Sequence, residues 1–197
     1  MYRNIKRIID IIFSIMVLPF FCFVIITIGP LIFFQDRGNI FYNAERLGYK
    51  GNVFKMYKLR SMKINAPDIR NEDGSTFNAE DDPRLTSIGK FIRKTSIDEI
   101  PQVLNVLKGE MSVVGPRPDL PEHYEAYSKN EKRKLSVKPG VTGYNQAYFR
   151  NTIPWKERLK NDLYYVDNQS FSLDLKIIVK TLIVIFMRKN IFISKAE

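Results

Sequence analysis

From Ile11 to Phe34 the chain carries no charged residue across 24 positions. As a helix that run would rise about 36 Å, enough to cross a hydrocarbon core of roughly 30 Å. Arg3, Lys6 and Arg7 precede it, and Arg46, Lys50, Lys55, Lys58, Arg60 and Lys63 follow it. Cations on both flanks favour the cytoplasmic side for each, so a helix that enters and returns is predicted, with Pro19 and the Gly29-Pro30 pair as places to bend. A simple spanning anchor is the competing reading. The run is longer than the apolar core of a signal peptide and no small-x-small cleavage site follows, so the segment is expected to be retained.

Beyond it the period changes. Residues 38–57 alternate apolar and polar positions around Gly48 and Gly51, which predicts a β-hairpin. Thr86 or Ser87 is placed to cap a short helix through Lys94 that packs Ile88, Phe91 and Ile92 inward. Pro121 to Leu135 reads as a helix with acids first and cations last, matching its dipole. Residues 138–143 read as a turn-rich link. A helix opening at Thr152 and Pro154 puts Trp155, Leu159, Leu163 and Val166 on one face. Ser172 is expected to cap a last, apolar helix carrying Asp174, Lys176 and Lys180, too charged to span comfortably and better suited to lying in a membrane interface over 172–190, with Arg188-Lys189 beyond. A buried core helix is its alternative. The pattern therefore predicts an α+β, mostly helical fold: a re-entrant membrane helix segment over 1–37, and one domain over 38–197 with a small hairpin and interfacial amphipathic helices.

Charge sharpens this picture. The net charge is +10, yet residues 65–82 hold six acids and one arginine, leaving +15 on the remainder. That acidic stretch has few large apolar residues and reads as a mobile loop, with a solvated linker as the plain reading and a lid over a charged site as the sharper one. A body so basic calls for an anionic partner: lipid headgroups, nucleic acid or a polyphosphate. Cys22 is the single cysteine and His123 the single histidine, which excludes an internal disulfide and any Cys- or His-based metal site. His123 is read as a surface residue.

The candidate chemistry concentrates between Lys90 and Pro118. Ser96-Ile97-Asp98-Glu99 has capping-box spacing, and Ile100, Val103, Leu104 and Leu107 follow in a helical stripe, so a helix is predicted from about Ser96 to Lys108-Gly109. Pro101 allows a start a few residues later. Asp98 and Glu99 then lie at a helix N-terminus, whose partial positive charge keeps carboxylates ionised. Taken alone the pair is a cap worth ~0.3 to 1 kcal/mol. Its company changes that: Lys90, Arg93 and Lys94 precede it, and Met111 to Val114 reads as a short buried strand leading into Gly115-Pro116-Arg117-Pro118. Prolines on both sides of Arg117 present its guanidinium with little entropy left to lose, which suits a phosphate.

These residues resemble a family, the bacterial small monotopic phosphoglycosyl transferases, whose shared unit is the bacterial sugar transferase domain. The similarity runs through Asp10, Glu45-Arg46-Leu47-Gly48, Lys58-Leu59-Arg60-Ser61-Met62, Arg93 through Asp98-Glu99 to Asn105, Lys108 to Ser112, Gly115 to Pro118, Lys138 to Gly143 with Gln146, and Asp162 to Val166. The resemblance implies a monotopic enzyme at the cytoplasmic face of the bacterial inner membrane. It implies transfer of sugar 1-phosphate from a UDP-sugar to a polyprenyl phosphate such as undecaprenyl phosphate, with Mg²⁺ and release of UMP. It makes Asp98 the nucleophile and Glu99 its support, both as candidate metal ligands, with phosphate contacts from Arg93 and from Arg117 beside Pro116. Lys58 and Arg60 are assigned to the nucleotide or headgroup side, and Gln146 and Arg150 to the sugar pocket. Two departures stand out: Pro19 follows leucine early in the helix where members commonly have Ser-Pro near the middle, and Tyr144-Asn145-Gln146 and Phe149-Arg150 replace Trp-Ala-Gln and Gly-Arg. A membrane-anchored basic module that binds nucleic acid or anionic lipid without catalysis is the alternative, although no nucleic-acid-binding motif supports it.

Overall fold

The computed structural model describes residues 2–70, 77, 79, 81–150 and 152–187. Much of the acidic stretch, the residue after Arg150, and Arg188-Lys189 lie outside them. The first helix, α1 (Tyr2–Asp36), runs through Pro19 and Pro30. It is long and apolar enough to cross a membrane by length and composition. Its buried residues follow one face, and the first three are polar: Lys6, Asp10 and Ser14. Each of the first two has a partner across the chain. Lys6 pairs with Asp174, which also accepts from the Tyr2 hydroxyl at 2.5 Å and the Tyr165 hydroxyl at 2.8 Å. Asp10 accepts from Ser112 Oγ at 3.1 Å and from the Val113 N–H at 2.9 Å. The helix is thus docked at its start by charge-assisted hydrogen bonds, the kind that costs most to break once buried. Farther along, Val24 and Ile32 pack with Leu59 and Ile92.

The hairpin forms as predicted: β1 (Phe41–Leu47) and β2 (Val53–Leu59) pair antiparallel, with Ala44 opposite Met56. The outer edge of β2 is met by a side chain. Asn105 donates to the Lys55 carbonyl at 2.8 Å and accepts from the Tyr57 N–H at 2.9 Å, supplying the contacts a third strand would make. Asn105 belongs to α3 (Gln102–Lys108), whose last carbonyls, Val106 and Leu107, accept from the Arg7 guanidinium. Gly109 closes α3 in the left-handed conformation at φ 83°, as the sequence predicts.

Before it, α2 (Ser87–Lys94) is capped by Thr86, whose hydroxyl accepts from the Gly89 N–H. Ile92 is fully buried there, but Phe91 is exposed, so only part of the expected apolar face turns inward. The second, smaller sheet was not expected as a pair. β3 (Ser112–Val114) is the buried strand predicted, and β4 (Gly140–Thr142), read from sequence as a link, lies parallel to it. Glycine permits the approach: a Cβ on Gly140 would stand 2.1 Å from the Gly115 nitrogen.

The helix expected over 121–135 is not one helix. α4 (His123–Ala126) ends at Tyr127, which turns extended, and a 3-10 segment over Glu131–Ser136 follows. The break comes from a real capping box: the Ser128 N–H donates to Glu131 and the Glu131 N–H to Ser128 Oγ, restarting the backbone. Then come α5 (Tyr144–Tyr148), α6 (Trp155–Asp167) and α7 (Phe171–Met187). The buried face of α6 carries Trp155, Leu159, Asp162 and Tyr165, so it mixes polar groups into the predicted apolar stripe. Ser170 rather than Ser172 caps α7, accepting from the Leu173 N–H. α7 buries Asp174 and Ile177 and leaves Phe171, Leu175, Val179, Leu182 and Phe186 exposed along one side. That is not the pattern of a core helix, and it leaves an unpartnered apolar stripe of the kind an interfacial helix presents.

Candidate active site

Asp98 and Glu99 do not begin a helix through a capping box. Ser96 sits left-handed at φ 57°, its side chain caps nothing, and Ile97–Glu99 form a 3-10 turn that leads through Ile100 and Pro101 into α3. The left-handed residue is what rotates the turn. Asp98 is 7% exposed. Lys58, at the end of β2, reaches both carboxylates, 2.7 Å from Glu99 Oε1 and 3.7 Å from Asp98 Oδ2. Arg117 reaches the same Glu99 oxygen at 3.1 Å. Burial opposes ionisation of both acids, but the two cations outweigh it at Glu99 and hold its carboxyl well below the usual range. At Asp98 burial wins over Lys58, and Glu99 adds to it, so this carboxyl lies above its ordinary value. The two adjacent acids therefore differ: Glu99 is held well below the ordinary range and Asp98 lies above its own, because the nearest cation leans toward Glu99.

Both acids line a cavity of about 1300 Å³ with Lys58, Arg93, Arg117, Gln146 and Arg150. Arg93 donates from Nε to Ser61 Oγ at 2.9 Å, and burial lowers its affinity for a proton while Asp98 raises it. Gln146 brings a buried amide whose nitrogen and oxygen both lack a partner among the described residues. Arg150 stands at φ 51° with its N–H on the Asn145 carbonyl. Arg60 lines the cavity too, but its guanidinium is committed elsewhere. It makes a two-pronged pair with Asp36, each contact 2.6 Å, and also donates to the carbonyls of Ile32, Asn39 and Met62. Its place is therefore the joint between the end of α1 and the hairpin. Pro116 stands outside the lining, with its carbonyl accepting from the Gly140 N–H at 2.9 Å.

Two further lining residues, Arg46 of the Glu45-Arg46-Leu47-Gly48 motif and His123, were given no place in the site from sequence. Arg46 is desolvated beside Arg117, its guanidinium giving one hydrogen bond to the Glu45 carbonyl. His123, read as a surface residue, is half-buried: its ring lies 4.5 Å from that of Trp155, and its buried Nδ1 has no hydrogen-bond partner among the described residues. A single histidine gives no spacing to read. The cavity also extends past Phe13, Ser14, Val17 and Phe20 of α1 and Ile178, Leu182 and Ile185 of α7, so one end is cationic and the other apolar.

Among the described residues no three His, Cys, Asp or Glu side chains gather to hold a metal ion by themselves. The Asp98-Glu99 pair does suit Mg²⁺, which takes one or two carboxylates and completes its shell with water and substrate phosphate.

The chain belongs to the bacterial sugar transferase family, whose model matches residues 1–188. It is 44% identical over 190 residues to "Galactosyl transferase CpsE" of Streptococcus agalactiae, covering 92% of this chain and 42% of that protein. It is 37% identical over 207 residues to "Undecaprenyl-phosphate galactose phosphotransferase" of Salmonella typhimurium, covering 96% and 42%. It is also 37% identical over 188 residues to "Exopolysaccharide production protein ExoY" of Sinorhizobium fredii, covering 90% and 83%. The chain spans about two fifths of the length of the first two and most of the third.

Proposed function

We propose that the protein transfers a hexose 1-phosphate, galactose 1-phosphate foremost, from a UDP-sugar to polyprenyl phosphate at the cytoplasmic face of the membrane, as an early step in polysaccharide assembly. One observation carries this reading: the adjacent acids Asp98 and Glu99 face a cationic cavity whose other end is apolar and bounded by α1 and α7. A nucleotide sugar fits the first end, and the chain of a lipid phosphate fits the second. The relatives' names favour galactose over other hexoses.

In the proposed reaction an Asp98 oxygen attacks the β-phosphorus of the UDP-sugar. The bond from that phosphorus to the bridging oxygen breaks and UMP leaves with the electron pair. Asp98 then carries the sugar phosphate as an acyl phosphate. An oxygen of polyprenyl phosphate attacks the same phosphorus, expels the Asp98 carboxylate, and yields the lipid diphosphate sugar. The raised proton affinity of Asp98 makes it the better nucleophile of the pair, whereas Glu99 stays a fixed anion that holds Lys58 and Arg117 in place. Lys58, Arg93 and Arg117 oppose the repulsion between a carboxylate and a diphosphate. Asp98 and Glu99 would also hold Mg²⁺, which would neutralise charge on the transferred phosphoryl group. α1 is the proposed membrane element, re-entrant because cations flank it on both sides, with α7 lying at the interface.

The test is UMP release by purified protein given polyprenyl phosphate, Mg²⁺ and, in turn, UDP-galactose, UDP-glucose and UDP-N-acetylgalactosamine. Fastest release is expected from UDP-galactose. Release from none of them contradicts the reading.

A further inference from the structure

In the wall of the same cavity lies a buried charge that the proposed chemistry does not use. Lys134, 5% exposed, places Nζ 2.5 Å from Asp119 Oδ2 and 2.8 Å from Asp162 Oδ2. Asp119 also accepts from the Tyr127 hydroxyl at 2.5 Å, and Asp162 from the Asn145 amide at 2.7 Å. Burying one cation with two carboxylates costs more in desolvation than attraction alone returns, so such a cluster is weak ground for a stability role. What it does supply is position.

Each carboxylate is attached to a different wall of the cavity. Asp119 ends the Pro116-Arg117-Pro118 turn, and its backbone carbonyl accepts from the Leu47 N–H at 2.8 Å. Pro116 is held at the other end by Gly140. The Arg117 side chain is 45% exposed, so little packs along it and its aim at Glu99 depends on the backbone below. Asp162, through Asn145, holds α5, which carries Gln146 and leads to Arg150.

We propose that Lys134 is a positioning residue: its ammonium, shared between Asp119 and Asp162, locks the turn that aims Arg117 and ties that turn to the helix bearing Gln146. This rests on the reaction proposed above. It adds that donor affinity is set in part by a lysine whose ammonium is held between Asp119 and Asp162 and acts through the residues they fix.

The test is a double-mutant cycle on UMP release with UDP-galactose, with thermal unfolding recorded for each variant. Lys134→Met should lower kcat/KM about 30-fold, mostly as a rise in donor KM, and in an Arg117→Ala background the same change should cost less than about 3-fold, a coupling within the range for residues in one network. Lys134→Arg, which keeps the charge and can reach both carboxylates, should recover most of the loss. If Lys134→Met does not fold, Asp119→Asn replaces it, because Lys134 then keeps Asp162, and the same coupling to Arg117 is expected. Equal losses with and without Arg117, for whichever variant folds, overturn the proposal, since they mean a general structural role or direct contact with substrate. Absence of UMP release from the unaltered protein is a different failure, that of the reaction itself.

Discussion

Lys58 Nζ stands 2.7 Å from Glu99 and 3.7 Å from Asp98, and that one-ångström preference separates two adjacent acids into different roles. Glu99 is the acid held ionised, and Asp98 is the one left with a raised proton affinity. Attack needs Asp98 deprotonated, so kcat/KM should fall on the acid side with an apparent pKa above the ordinary aspartate value of about 3.9. Lys58 is the main influence pulling Asp98 down. In Lys58→Met the acid limb should therefore move to higher pH, with a loss of roughly 100-fold at neutral pH. An unmoved limb contradicts this division of roles.

Arg60 tests the other assignment drawn from the motif. With its donors spent on Asp36 and three carbonyls, Arg60→Ala should cost about 1–2 kcal/mol of stability, the order expected for losing part-buried charge-assisted hydrogen bonds. Asp36→Ala should cost a similar amount and the double variant little more. Donor KM in the protein that remains folded should change less than about threefold. A large KM effect without loss of stability would return Arg60 to substrate binding.

Asp10 anchors α1 to the strand that leads into the Arg117 turn. Asp10→Ala leaves the buried Val113 N–H and Ser112 hydroxyl without their acceptor, which should cost about 1–3 kcal/mol. Thermal unfolding in detergent micelles measures it, and Asp10→Asn, which keeps an acceptor oxygen, should lose less.

Gly140→Ala puts a Cβ within 2.1 Å of the Gly115 nitrogen and 2.2 Å of the Thr142 oxygen. Neither backbone atom can rotate away, so β3 and β4 must separate. A loss of about 3 kcal/mol, at the upper end for overpacking, is expected in denaturant unfolding.

The sequence was most legible where a local rule has a single outcome. The hairpin, the Thr86 cap, the Gly109 stop and the long apolar helix all follow from period and capping chemistry. It was least legible where two outcomes share one spacing. Ser96-x-x-Glu99 and Ser128-x-x-Glu131 look alike, yet only the second forms a capping box, because Ser96 is forced left-handed where α2 turns into the Asp98 segment. β4 was missed because its partner is 28 residues away at Ser112, and parallel pairing leaves no turn signature. Asp98, Glu99, Lys58, Arg93, Arg117, Gln146 and Arg150 were found through the motif and do meet around one cavity. His123 and Lys134 were not, since each meets its partners only by being folded against residues distant in the chain.

The covalent step can be examined without any acceptor. Purified protein incubated with UDP-galactose and Mg²⁺ should gain the mass of one hexose phosphate, release one UMP per chain, and carry the added mass on Asp98 after peptide mapping, while Asp98→Asn gains nothing. Product formation on later addition of polyprenyl phosphate, with no adduct trapped at Asp98 beforehand, contradicts the aspartyl intermediate.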